Sequence, residues 1–148
     1  MPKVYTNRGL QTLQAGTAWS GGKQVLALTG AVQTPSTIAD LNFVAQLTAT
    51  NPEVAVAGYT RQAVTITPTE NDTLNQVDAA YPATVTFGAT VAAGATVTCV
   101  ACFLTAGATD ALKELLWVDN LSAPANTAGG PLIYTPVADK LAMSPQPA

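Results

Sequence analysis

The chain contains no histidine at all. That removes the commonest general base near neutral pH. It also removes every Ser-His or Cys-His nucleophile arrangement and every zinc site built on imidazole. Charge is scarce as well: Asp, Glu, Lys and Arg make up 10% of the 148 residues, against roughly 25% in ordinary soluble domains. The six bases, Lys3, Arg8, Lys23, Arg61, Lys113 and Lys140, are scattered and none sits in an aromatic run. The basic stripe that nucleic-acid binding requires is therefore missing, and no nucleic-acid partner is expected. Aromatics are few, two Trp, four Tyr and three Phe, and no Gly-rich phosphate loop is present.

Two cysteines form Cys99-Val100-Ala101-Cys102. A redox reading of C-x-x-C needs the first thiol at a helix N-terminus, where its pKa falls. Here the pair lies in a Thr/Val strand pattern, and a spacing of three on a strand sends the thiols to opposite faces. A structural zinc site would need two further ligands. Both cysteines are expected to be buried, apolar and chemically idle. Acid pairs drawn from Glu53, Glu70, Asp72, Asp78 and Asp119 could approach one another in a fold as glycosidase carboxylates do, but no aromatic platform accompanies them. Glu70-Asn71-Asp72 lacks the spacing of a calcium loop and reads as a polar turn. No catalytic, cofactor-binding or metal-binding residue is assigned, no cofactor is implied, and the chain is read as a non-enzyme.

What the chain has is hydrophobicity without charge. Hydrophobic residues make up 48%, the net charge is −3, and Ala and Thr together fill about a third of the positions. A protein of this size must cover its surface with solvated groups, and charges are the usual choice. Fifteen charges cannot do that; Thr hydroxyls and contacts with other subunits must supply the rest. A protein used inside an assembly is expected, self-associating, with a trimer favoured. The N-terminus lacks the apolar run of a secretory signal, so the chain is expected to stay in the cytoplasm of the cell that makes it. The uncharged stretch Ala79–Thr109 is long enough to raise the question of a membrane span. Its Gly94, repeated Thr and period of two argue against one, and no membrane partner is expected.

Along the chain, Asn7–Ala15 reads as a short helix capped by Thr6 or Asn7 and ended by Gly16. Trp19–Gly22 is a turn, and Lys23–Leu28 is a strand. Thr37-Ile38-Ala39-Asp40 has the form of a capping box, opening a weak helical stripe through about Leu47. Gln62–Thr67 alternates, Val64 and Ile66 facing one way, with Pro68 ending it. Thr84–Phe87 repeats the alternation with Val85 and Phe87 inward. Ala95–Leu104 is the longest strand, with Val97, Cys99, Ala101 and Phe103 on one face and Thr96, Thr98, Val100, Cys102 and Leu104 on the other. Ala108–Glu114 has helical residues, Leu115–Val118 is a strand, Asn120–Gly130 a long loop, and Pro131–Tyr134 a last strand. The spacing predicts a mainly β chain, an antiparallel β-sandwich or jelly-roll-like domain with one or two short helices. Residues 1–148 form a single domain, with a short N-terminal segment and a flexible C-terminal arm over about 143–148. That arm, with two prolines, is expected to order only against a neighbour.

The order of these features resembles a group of small virion proteins of tailed bacteriophages. Lys23–Leu28 is followed by a loop and a helical piece, then by Glu53-Val54-Ala55-Val56-Ala57-Gly58-Tyr59-Thr60-Arg61, similar to an "EV…GYxR" element. Val77-Asp78-Ala79-Ala80, Ala83–Phe87, the long strand from Ala95 and Leu115-Leu116-Trp117-Val118-Asp119 complete the pattern. The resemblance covers most of the chain with short motifs. Where the group has an acidic pair after "DA", Ala80-Tyr81 stands here, so no acidic function is carried across. The resemblance implies a capsid decoration (cement) protein on the virion surface, with the phage major capsid protein and copies of itself as partners. A tail-fibre or head-fibre component, or a carbohydrate-binding module using exposed Trp and Tyr beside carboxylates, is the alternative.

Overall fold

The computed structural model describes residues 3–14, 21–71, 76–80 and 84–136. The expected turn at Trp19-Ser20, the helix stop at Gly16, Asp72 and the C-terminal arm lie outside them. The chain is mainly β and every strand pair is antiparallel.

The central strands follow from composition. Lys23–Leu28 forms β2, and after Gly22 every second residue and more is apolar; Leu26, Ala27 and Leu28 are fully buried. Thr96–Leu104, labelled β7 below, is buried on both faces over most of its length, as a run apolar on both sides requires. Around them a five-stranded sheet is ordered β1-β8-β7-β2-β3, with β1 Val4–Tyr5, β3 Gln62–Val64 and β8 Leu115–Asn126. Two small two-stranded sheets pair β4 (Thr67–Asn71) with β5 (Gln76–Ala80) and β6 (Val85–Gly88) with β9 (Leu132–Tyr134).

The two faces of the large sheet are covered differently. On one, Val25, Ala27, Val97, Val100, Cys102, Leu116 and Trp117 pack against Val85 and Phe87 of β6 and Leu132 and Tyr134 of β9. On the other, Leu26, Leu28, Cys99, Ala101, Phe103, Leu115 and Val118 pack under Ile38, Val44 and Leu47. These last three come from α2 (Pro35–Ala39) and α3 (Val44–Thr48). The order is strand pair, sheet, helices, each layer closing one apolar face. Among the described residues no helix is long and apolar enough to cross a membrane.

Several expectations are corrected. Within the N-terminal segment, β1 pairs with Trp117 and Val118, and Thr6 Oγ1 donates to Leu115 O at 2.6 Å while accepting from Gly9 N. The helix α1, Asn7–Gln14, lies so close that a Cβ on Gly9 would stand 2.3 Å from Leu116 O. Thr34, not Thr37, caps α2, its Oγ1 accepting from Thr37 N, with Pro35 in the first turn and Asp40 at the C-cap; Pro suits that place because its missing N–H has no intrahelical partner there. A second helix, α3, then restarts at Val44. Pro68 does not end a strand but sits inside β4 opposite Ala79, which a two-stranded sheet tolerates because each strand keeps a free edge. Glu70 and Asn71 are strand residues, not a turn. Ala108–Glu114 makes a single turn, Leu112 N and Lys113 N donating to Thr109 O. The expected loop after Asn120 is instead the continuation of β8 to Asn126.

Candidate functional site

Two bulges in β8 decide what the molecule presents. At the first, Cys102 pairs with Trp117 and Phe103 with Leu115; Leu116 and Trp117 both turn to the β6–β9 side. At the second, Cys99 pairs with Asn120 but Val97 with Ala125. Leu121 to Pro124 therefore have no register partner on β7, and the strand bows out there. The same irregularity carries Val97 to the face of Val100 and Cys102, correcting the expectation that it shares a face with Cys99.

Beneath the bowed segment lies a cleft of about 210 Å³. Leu121, Ser122 and Ala123 form one wall, Leu132, Ile133 and Tyr134 another, and Phe87 and Val100 the apolar floor. Asp119, 4% exposed, lines it too. Tyr134 Oη donates to Asp119 Oδ2. Among the described residues nothing donates to Oδ1 and no cation pairs with the group. The volume is below the several hundred Å³ of usual cofactor or drug-sized sites; one long side chain would fill it.

A second polar cluster is closed. Arg61 donates through Nε and Nη2 to both oxygens of Glu53 at 2.7–3.1 Å, and through Nη1 and Nη2 to both oxygens of Asp110 at 2.9 and 2.7 Å. Its guanidinium lies over the Phe103 ring, 5.2 Å from the centroid. Lys113 Nζ adds a bond to Asp110 at 3.2 Å. Tyr59 Oη donates to Glu53 and accepts from Ala27 N. The hydrogen bonds from Arg61 hold the Asp110 carboxyl down to about 2; those same bonds, first to Asp110, raise Arg61. Burial raises the Tyr59 hydroxyl well above its ordinary value. Charge and donors are matched within the cluster, so it fastens the 53–61 loop and the turn before β8 to the sheet. A similar tie runs from Arg8 Nη2 to Glu114 Oε1 at 2.6 Å, with Thr12 donating to Oε2. Burial alone would raise Glu114, but the bonds from Arg8 and Thr12 outweigh it and lower the carboxyl.

The residues singled out in the sequence separate accordingly. Glu53 and Asp119 belong to different networks and form no acid pair. Glu70 and Asp78 lie on β4 and β5, Asp78 opposite Thr69. Cys99 and Cys102 pack on opposite faces of the sheet; burial pushes the thiols up to about 11 and about 12, away from the reactive range. Trp117 is 1% exposed with Lys3 Nζ 5.4 Å from its ring centroid, so its faces are not free to stack on a sugar. Among the described residues no group of three or more Cys, Asp or Glu could hold a metal ion. Gly58 has φ +84°, and a Cβ there would stand 1.9 Å from Thr90 O. Only glycine fits there without strain and collision; Tyr59 after it is loop, β3 beginning at Gln62. No protein-family model matches the chain, and no curated protein and no solved structure matches it either.

Proposed function

We propose that the protein is a non-enzymatic assembly protein: a bacteriophage virion component of the capsid decoration type, which joins capsid subunits by burying surface against several neighbours at once. The observation that supports this most is the fate of its charges. Of the bases with described side chains, Lys3 and Lys23 are 6% and 5% exposed, and Arg8, Arg61 and Lys113 are held in ion pairs. Of the acids with described side chains, Glu53, Asp110 and Glu114 are the partners in those pairs, and Asp119 is buried. Asp40 alone is exposed and outside any ion pair. Among the described side chains the rest of the exposed surface is mostly Thr, Ala, Ser, Gln, Asn, Pro and Gly, with Leu10, Val32, Leu112 and Ile133 exposed among them. Such a surface costs little to desolvate, and that suits summed lattice contacts.

Gold labelling of a tag on this chain in purified particles tests the reading. Label distributed over the heads is the expected result. Label on tail or fibre tips moves the protein to the fibre class, and unlabelled particles overturn the virion assignment. Light scattering on the purified chain is expected to give an oligomer, a trimer by preference; a stable monomer at high concentration removes self-association.

A further inference from the structure

The charge pattern has one exception that is not on the surface. Asp119 is buried, lines the cleft, and keeps one oxygen without a donor among the described residues. A carboxylate this little exposed, with one oxygen open only to the cleft, is stabilised by a cation or further donors. The described bases of this chain cannot supply one, because each is already committed: Lys23 Nζ to Gly21 O, Lys3 beside Trp117, and the other three in the ion pairs above. The walls of the cleft add a second feature. Leu121 to Pro124 pair with no strand on the β7 side, and β1 covers β8 only at Trp117 and Val118. On the other wall β9 pairs with β6 along one edge and, among the described residues, has no strand on the other. Two stretches of free strand edge thus border an apolar slot that ends at a carboxylate.

We propose that this cleft is a docking groove for an extended segment of a different polypeptide, which lies along the bowed part of β8 and sets a lysine or arginine side chain on Asp119. Extended segments add readily to unpaired strand edges, their backbone giving affinity and their side chains selectivity. The aliphatic stem of a basic residue fits the floor of Phe87 and Val100, and its head meets Oδ1 and Tyr134. Ser122, Ala123 and Pro124 are exposed, and Ile133 at the mouth is 53% exposed. In the assembly reading, on which the choice of a protein partner rests, the occupant is a basic strand of the shell.

The binding half is tested without any particle. n-Butylguanidinium and n-butylammonium are titrated into the labelled protein, with n-butanol as the neutral control, while backbone amide shifts are followed by NMR. The expected result is saturable shifts confined to Asp119–Ala125 and Leu132–Thr135, in the millimolar range for the cations and at least about tenfold weaker for butanol, a difference that reports the charge contact. Asp119→Asn keeps an acceptor for Tyr134 and is expected to abolish the preference for cations. Should that variant not fold, Ile133→Arg at the exposed mouth is expected to weaken cation binding at least about fivefold. Shifts that do not saturate, or that are equal for butanol and the cations, overturn the proposal. Sedimentation of Asp119→Asn separates the sources: an oligomer that falls to monomer makes the occupant a second copy and overturns the different-polypeptide assignment. Wild type and Asp119→Asn attaching equally to particles overturns the groove while leaving the assembly reading intact; failure of both to attach, with cation binding observed, does the reverse.

Discussion

The Arg61 corner and the Asp119 cleft are built from the same kinds of group and end in opposite states. At Arg61, two carboxylates, a lysine and a tyrosine surround one guanidinium, and Arg61, Lys113 and Tyr59 all donate to a carboxylate oxygen within 3.2 Å. At Asp119, a more deeply buried carboxyl has one hydroxyl donor and no cation among the described residues. The first arrangement holds distant segments together: Glu53 follows β2, Arg61 precedes β3, and Asp110 lies in the turn before β8. The second holds little, since Tyr134 and Asp119 are already brought together by the β9 layer packing on the sheet. A saturated network fastens segments together, whereas a little-exposed carboxyl with a vacant acceptor keeps capacity for a further donor.

That contrast is broken most severely by disturbing the loop that carries Glu53, Tyr59 and Arg61. Gly58→Val places a branched side chain at positive φ and against Thr90 O. A loss of about 3 kcal/mol or more is expected in urea unfolding, because strain and collision add. An unchanged midpoint would show that the loop is free to move and that Arg61 does not anchor it.

Next in size is Arg61→Met. It retains much of the apolar stem over Phe103 but leaves Glu53 without its cation and Asp110 with Lys113 alone. The three side chains are 22–31% exposed, so the cost is below that of a fully buried pair: about 2 kcal/mol. A double-mutant cycle with Asp110→Asn is expected to recover part of it, since one negative charge is removed.

The pH dependence sharpens the same point. Asp110 has its folded value held to about 2 by Arg61, below the ordinary value near 3.9 of an unfolded chain. Such a group contributes stability that is fully present above about pH 4 and is lost as pH falls towards about 2; with its partial exposure the amount is about 1 kcal/mol. Glu114, also lowered, acts in the same direction. Chemical unfolding at pH 5 and at pH 2.5 measures the loss, and Arg61→Met is expected to show a smaller one. Equal acid sensitivity in the two proteins would mean that other carboxyls carry it.

The sequence revealed the strands whose pattern is local and hid whatever depends on pairing. Val85 and Phe87 are buried and Thr86 exposed, as their alternation requires. Both faces of β7 are covered, and the two cysteines lie on opposite sides as their spacing demands. Alternation alone puts Val97 on the face of Cys99; a bulge inserts residues on the partner strand and turns it to the other, and nothing in a single strand's periodicity records that. The β1 strand has two residues, too short for any pattern, and owes its place to Thr6 and Gly9 closing on β8. Pro68 reads as a strand stop unless the sheet is known to be two strands wide. Asp119 was visible only as one acid among several. An acid directly after Leu115-Leu116-Trp117-Val118 is the one signal that could have marked it, since a charge ending so apolar a strand must be buried or lead the chain out, and β8 continues.

The smallest effect on folding is expected at Asp119, and it decides between the two regions. Asp119→Asn keeps the shape and an acceptor for Tyr134 Oη, and removes a charge that no described cation balances. Removing such a charge lifts a desolvation cost, while the amide needs partners of its own. The two effects oppose each other, and the net change is expected to lie within about 0.5 kcal/mol of zero by urea unfolding at pH 7, the range of substitutions that break no essential contact. Tyr134→Phe gives the complementary measurement: it deletes the donor and leaves the carboxyl with none among the described residues, so it is expected to cost about 1 to 2 kcal/mol, and less when combined with Asp119→Leu, where neither group is left unmade. If Asp119→Asn instead costs as much as Arg61→Met, the carboxyl is a fastening like the one at Arg61, its environment is complete, and the cleft has no need of a partner's cation.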